Sequence, residues 1–208
     1  MTLVLSKKHR VSLIILSGVV SVLCMLLLTP KASAATLNVV AGNDAIAENN
    51  QCQLSEAITN INDQAQTHDD CLAGNGNNDT MNLPTGTITL TADLPEINKI
   101  VNINGQGMDV SIINGNSQFV AMKYNITSLG TVDLNNFTAV AQKGSGIEIG
   151  ATVAGTTSNI YNIEVDGTNS IKGAGGSIGG LVFYTAVAVN VNKVYVHDLL
   201  ANSASGVF

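Results

Sequence analysis

The chain has no tryptophan, and aromatic residues make up only 4% of its 208 positions. Its core must therefore be built from Val, Ile, Leu and Ala. Arginine occurs once, at Arg10, and is absent from 35 to 208. No apolar helical period of useful length appears after Ile61, so helix-on-helix packing is excluded as the main architecture. The scarcity of basic residues removes nucleic acid as a partner, because nothing here neutralises a row of phosphates.

The first 34 residues read as a targeting segment. Lys7, Lys8 and Arg10 precede an apolar run from Val11 to Leu28, followed by Pro30 and the small-residue site Ala32-Ser33-Ala34. A run of 18 residues is long enough to span a bilayer. The small-residue site beyond it favours cleavage before Ala35 instead, so contact with a membrane is expected only if the leader stays uncleaved. Cys24 lacks the small preceding residues of a lipidation box. Without the leader, five lysines face fifteen acids, a formal net charge of −10. That balance keeps an exported protein soluble and opposes docking on anionic lipid or polysaccharide.

Cys52 and Cys71 are then the only cysteines left, and an even pair beyond a secretory signal is most simply a disulfide, with free thiols the alternative. Closing that loop is worth about 3 kcal/mol on the chain-entropy argument. Between them, Leu54, Ala57, Ile58 and Ile61 fall at i, i+3, i+4 and i+7, giving a short helix with one apolar face. Glu56, Asn60 and Asp63 are expected to point away from that face, so that Asn60→Asp is nearly silent.

Short β-rich runs follow between Gly and Asn punctuation: Thr87 to Leu90, Ile100 to Ile103, Val110 to Ile113, Phe119 to Met122, Val132 to Leu134, Ile147 to Ile149, Ile160 to Val165, Ala186 to Val191 and Val194 to Val196. Most alternate with period two, as strands with one buried face do. Asn136-Phe137, Asn162-Ile163 and Lys193-Val194 align in a loose register with spacings of 26 and 31 residues, in the range of one solenoid rung. An antiparallel sandwich is the rival, because Asn104-Gly105 and Asn114-Gly115 would also suit hairpin turns.

The segment Cys52-Gln-Leu54-Ser-Glu56-Ala57-Ile58 resembles the CSLREA motif, with Gln53 and Ser55 departing from it. The likeness continues through Cys71-Leu-Ala-Gly74, Asp79-Thr80-Met-Asn-Leu83, Gly86-Thr-Ile88-Thr-Leu90-Thr91, Ile103-Asn-Gly105-Gln-Gly107 and Ile112-Ile113-Asn-Gly115. It covers residues 36 to 116. This resemblance implies a secreted bacterial protein with an all-β fold, a right-handed parallel β-helix of the pectin-lyase-like type, whose first rung is covered by the short helix as a terminal cap. The expected organisation is a signal peptide at 1–34, a strand, capping helix and disulfide-closed loop at 35–80, and β-helix rungs at 81–208. The chain closes at Ala204-Ser-Gly-Val-Phe208 without a capping element, which suggests a truncated piece of a longer surface protein.

A β-helix hosts lyases, hydrolases, adhesins and stalks alike. The lyase chemistry implied by the resemblance needs an Arg or Lys base beside acidic calcium ligands, and Lys99, Lys123, Lys143, Lys172 and Lys193 stand outside any acidic cluster. Hydrolysis needs two carboxylates facing one cleft. Glu148, Glu164, Asp166 and Asp198 lie on later rungs, with His197-Asp198 as helpers; Glu164 and Asp166 share one side of a strand, as solvent-face residues do. Asp69-Asp70 beside His68 reads as a solvated loop, with a zinc site excluded by the spacing. Asn75, Asn77, Asn78 and Asp79 are oxygen-rich enough for calcium but read more simply as a polar turn. Gly173 to Gly180 fits neither a calcium repeat nor a phosphate loop. No catalytic set, metal or cofactor is assigned. The expected function is a non-catalytic adhesive or stalk-like module for an extracellular glycan or a host or cell-surface protein. The alternative is a polysaccharide hydrolase or lyase.

Overall fold

The computed structural model describes residues 33–76, 78–140, 145–168, 178–184, 188–199 and 204–207. The leader expected at 1–34 thus lies outside the described residues up to position 32. Two short strands, β1 (Thr36–Asn38) and β2 (Gly42–Asp44), precede helix α1 (Leu54–Asp63). Then come β3 (Asp79–Asn82), β4 (Gly86–Leu90), β5 (Val101–Asn104), β6 (Ser111–Asn114), β7 (Met122–Ile126), β8 (Thr131–Val140) and β9 (Ile147–Ala151). β10 (Thr157–Asp166), β11 (Ile178–Tyr184), β12 (Ala188–His197) and β13 (Ala204–Val207) complete the order.

The described strands form two sheets, and every strand pair in them is parallel. In the first, β1-β3-β5 stacks on the front half of β8 and β2-β4-β6 on its back half, and β8 is followed by β10 and β12. The second is β7-β9-β11-β13. The antiparallel sandwich is excluded among these strands. Neither Asn-Gly pair closes a hairpin; each ends a strand that pairs with a later one.

The bends of the long strands fall at the register read from the sequence. Asn136, Asn162 and Lys193 have φ of 59°, 54° and 53°, and the pairing runs from Asn135↔Tyr161↔Asn192 directly to Phe137↔Ile163↔Val194. A left-handed residue at each bend swings the strand from one facing to the next, and Asn tolerates that region best among non-glycines. Amide ladders accompany the stack: Asn135 Nδ2 donates to Asn104 Oδ1 at 2.7 Å, Asn162 Nδ2 to Asn136 Oδ1 at 2.7 Å, Asn159 Nδ2 to Asp133 Oδ1 at 2.7 Å and Asn190 Nδ2 to Asn159 Oδ1 at 2.8 Å. Inside, aliphatic columns such as Met81-Ile103-Leu134-Ile160 and Ile88-Ile113-Ala139-Val165 are buried.

Three strand expectations shift, for the runs Ala186 to Val191 and Val194 to Val196 are one strand, β12, described from Ala188 onward. Phe119 to Met122 is not a strand; β7 begins at Met122, because Met122, Tyr124 and Ile126 alternate inward while Lys123 and Asn125 face out. Val132 to Leu134 is the front of a strand continuing through the Asn136 bend to Val140.

Helix α1 buries Leu54, Ala57, Ile58 and Ile61 in the common core, and Cys52 and Cys71 are joined as a disulfide. Two expectations about its other face are corrected. Glu56 is fully buried, its carboxylate accepting from Gln53 N at 3.1 Å and Ala47 N at 2.9 Å, so it serves the helix start. The carboxylate of Asp44 on β2 adds to this end by accepting from Ser55 N and Ser55 Oγ. Asn60 is buried as well, and its amide organises the disulfide loop: Nδ2 donates to the carbonyls of His68, Cys71 and Leu72 while Oδ1 accepts from His68 N. A ten-residue helix lying under a closed loop has three covered sides, which a helical wheel against one flat core does not anticipate.

Candidate functional site

Parallel stacking places the outward residues of β8, β10 and β12 beside one another: Thr138↔Glu164↔Tyr195, and Asp166↔His197. Glu164 is the hub of the resulting cluster. Its Oε2 accepts from Thr138 Oγ1 at 2.8 Å and its Oε1 lies 2.9 Å from His197 Nε2. His197 Nδ1 is 2.8 Å from Asp198 Oδ2 and 3.8 Å from Asp166 Oδ1. Asp198 reaches back to its neighbour's ring because its backbone is left-handed, φ 55°. Asp109, in the connection between β5 and β6, is also left-handed, φ 60°; its N–H donates to Thr138 Oγ1 at 2.9 Å, which brings its carboxyl near that of Glu164.

The electrostatics follow from this geometry. The charge of Glu164 and the hydrogen bond to it raise Asp109 above the ordinary carboxyl value. Burial pushes Glu164 up, but the hydrogen bonds from His197, Thr138 and Asp109 outweigh it and leave Glu164 lowered. Hydrogen bonds to Glu164 and Asp198 raise His197 to about 9. At neutral pH the cluster is an imidazolium clasped by carboxylates. Ligand atoms of Asp166, His197 and Asp198 lie within 4.8 Å of one another, close enough to share a cation when the ring is neutral.

Of the sequence candidates, Glu164, Asp166, His197 and Asp198 are therefore brought together, while Glu148 stands apart on β9 in an ion pair with Lys123 at 3.7 Å. His68 pairs loosely with Glu48 at 3.6 Å, and Asp70 accepts from Asn49 N, so the Asp69-Asp70 loop is tied down locally. Asp79 does not belong to a surface calcium turn: it is buried and accepts from Ala35 N and Asn75 N. Asn77, Lys143, Lys172 and Gly173 to Ser177 lie outside the described residues. Asp109 and Thr138 were not legible beforehand; Asp109 precedes Glu164 by 55 positions, and only the stacking joins them.

A second feature sits on the outer face of the other sheet. The outward column Asn125↔Gly150↔Tyr184 has a glycine between an amide and a half-exposed tyrosine ring. With Glu96 and Thr152 they line a groove of about 490 Å³. Asn125 Nδ2 donates to Glu96 Oε2 at 3.2 Å across it. A Cβ on Gly150 would meet nothing closer than 3.6 Å, so neither backbone nor packing demands glycine there. Interior glycine weakens a strand and often marks close approach of another molecule. The chain matches no family model, no curated protein and no solved structure.

Proposed function

We propose that this protein is an exported parallel β-helix of the CSLREA type, right-handed and capped by α1, that acts as a secreted or surface adhesive module for an extracellular glycan. The observation that carries the binding role is the groove over Gly150. An aromatic face beside a carboxylate, an amide and a hydroxyl suits a pyranose, whose C–H groups lie on the ring of Tyr184 while its hydroxyls exchange hydrogen bonds with Glu96, Asn125 and Thr152. The acidity of the mature chain favours neutral over uronate glycans. Export is supported by the disulfide and is compatible with there being no helix, among the described residues, long and apolar enough to cross a membrane.

Calorimetry with cellohexaose and with an oligogalacturonate of equal length tests this. Binding of the neutral sugar, lost in Gly150→Val and Tyr184→Ala, is the expected result. Equal affinity of both variants and wild type would remove the groove as the ligand site.

The second reading, glycoside hydrolysis, is favoured by one observation: Asp109 and Glu164 are neighbouring carboxyls whose interaction raises the first and lowers the second. Against it, the Glu164 carboxylate is engaged by Thr138 Oγ1 and His197 Nε2 at 2.8 and 2.9 Å, so both of its oxygens already have partners. Turnover of any glycan abolished by Glu164→Gln and Asp109→Asn would establish this reading in place of the first.

A further inference from the structure

The carboxylate of Asp79, at the start of β3, is 0% exposed, and both of its oxygens are met by main-chain nitrogens, Oδ1 by Ala35 N at 2.7 Å and Oδ2 by Asn75 N at 3.1 Å. No Lys, Arg or His among the described residues forms an ion pair with it. A buried carboxylate without a counter-charge is costly, and two N–H dipoles offset only part of that cost. Ala35 is also where the chain enters the sheet: its carbonyl accepts from Thr80 N at 2.8 Å, whereas Ser33 and Ala34 are exposed. The small-residue site Ala32-Ser33-Ala34 ends at this same bond.

We propose that leader removal cuts between Ala34 and Ala35, and that the α-ammonium so released on the half-buried Ala35 becomes the counter-ion of the buried Asp79. The inference rests on the export reading above. A signal peptidase adds water across the Ala34–Ala35 amide; Ala34 leaves as a carboxylate, and the Ala35 nitrogen keeps its electron pair and gains protons. The nitrogen facing Oδ1 thereby changes from a neutral N–H to a cation without having to move. Maturation in this scheme adds an ion pair to the β1–β3 ladder, where a chain still carrying its leader has only a neutral hydrogen bond.

The test uses the full chain exported through its own leader. Intact mass and N-terminal sequencing should find Ala35 first. At neutral pH the α-amine should react with an amine-specific acylating reagent at least tenfold more slowly than in Asp79→Asn. A chain one residue longer, keeping Ala34, leaves Asp79 intact and moves the charge about 3.8 Å away; its melting temperature should fall by about 10 °C, in line with loss of a buried pair. In the Asp79→Asn background the extra residue should cost nothing more. Export with a different first residue, or equal acylation rates with additive melting shifts, would overturn the ion pair while leaving export intact. A chain that retains its leader and stays in the cytoplasm would overturn both.

Discussion

Asn60 is the residue whose role departs most from its sequence appearance. Three carbonyls converge on its Nδ2 and one N–H on its Oδ1, so its amide does for the 64–72 loop what a strand ladder does elsewhere. Replacing it with Asp would turn the donor into a carboxylate facing three carbonyl oxygens in a buried site. The expected loss is about 3 kcal/mol or more, since stranded buried polar groups cost roughly 1–3 kcal/mol each. Denaturant unfolding of Asn60→Asp beside wild type checks this; an unchanged midpoint would refute it. His197 gives the second prediction at this scale. Its pKa is raised to about 9, first by the hydrogen bond to Glu164 and then by that to Asp198. A raised cationic group stabilises the fold fully below its unfolded value near 6.5 and ceases to do so as pH rises through about 9. The His197 ring signals in NMR should therefore titrate near 9, and the melting temperature should decline between pH 7 and 10 more steeply in wild type than in His197→Gln.

Among the elements, the corner after β5 shows why the motif Ile103-Asn-Gly105 reads as it does. A Cβ on Gly105 would lie 1.8 Å from Asn136 O and 2.6 Å from Asn136 C, because the Gly105 N–H donates to Asn135 O at 2.8 Å and the next layer passes directly over it. That approach concerns main chain against main chain, so no rotamer change relieves it. Gly105→Ala is expected to push β5 off the front half of β8 and to cost several kcal/mol, or to prevent folding. Gly150→Ala, where the nearest atom is at 3.6 Å, should fold normally. Comparing yield and circular dichroism of the two separates close packing from open space. Helix α1 was legible from spacing alone, and its disulfide from the pairing of the two cysteines beyond the expected leader. Its buried polar face was not, because burial of Glu56 and Asn60 depends on Ala47 and on the loop closed at Cys71, which pack over that face from outside the helix.

Across the first sheet, the columns of Val, Ile, Leu and Ala make each parallel strand depend on its neighbours. Phe137, fully buried midway along the first sheet, fills the bend of β8 against Ile163 of β10. Phe137→Ala should cost about 3–5 kcal/mol and lower the midpoint at every layer, measured by hydrogen exchange in β4 and in β10 alike. A loss confined to one of these strands would show that the stack melts piecewise.

Sequence by itself determined the periodic content of this chain. Alternation within short runs marked most strands, since inward and outward residues must alternate on a pleated strand, and the 26- and 31-residue spacings marked the bends at Asn136, Asn162 and Lys193. Paired cysteines and the apolar face of α1 were equally local signals. Only the tertiary structure decided that all described pairings are parallel, because an Asn-Gly step suits a hairpin and a layer corner equally. It alone gathered Asp109, Glu164, Asp166, His197 and Asp198 into one cluster, left the groove over Gly150 and set Asp79 against Ala35. Those neighbours are separated along the chain by whole layers, and a parallel array brings them together through register between strands, which no stretch of residues encodes on its own.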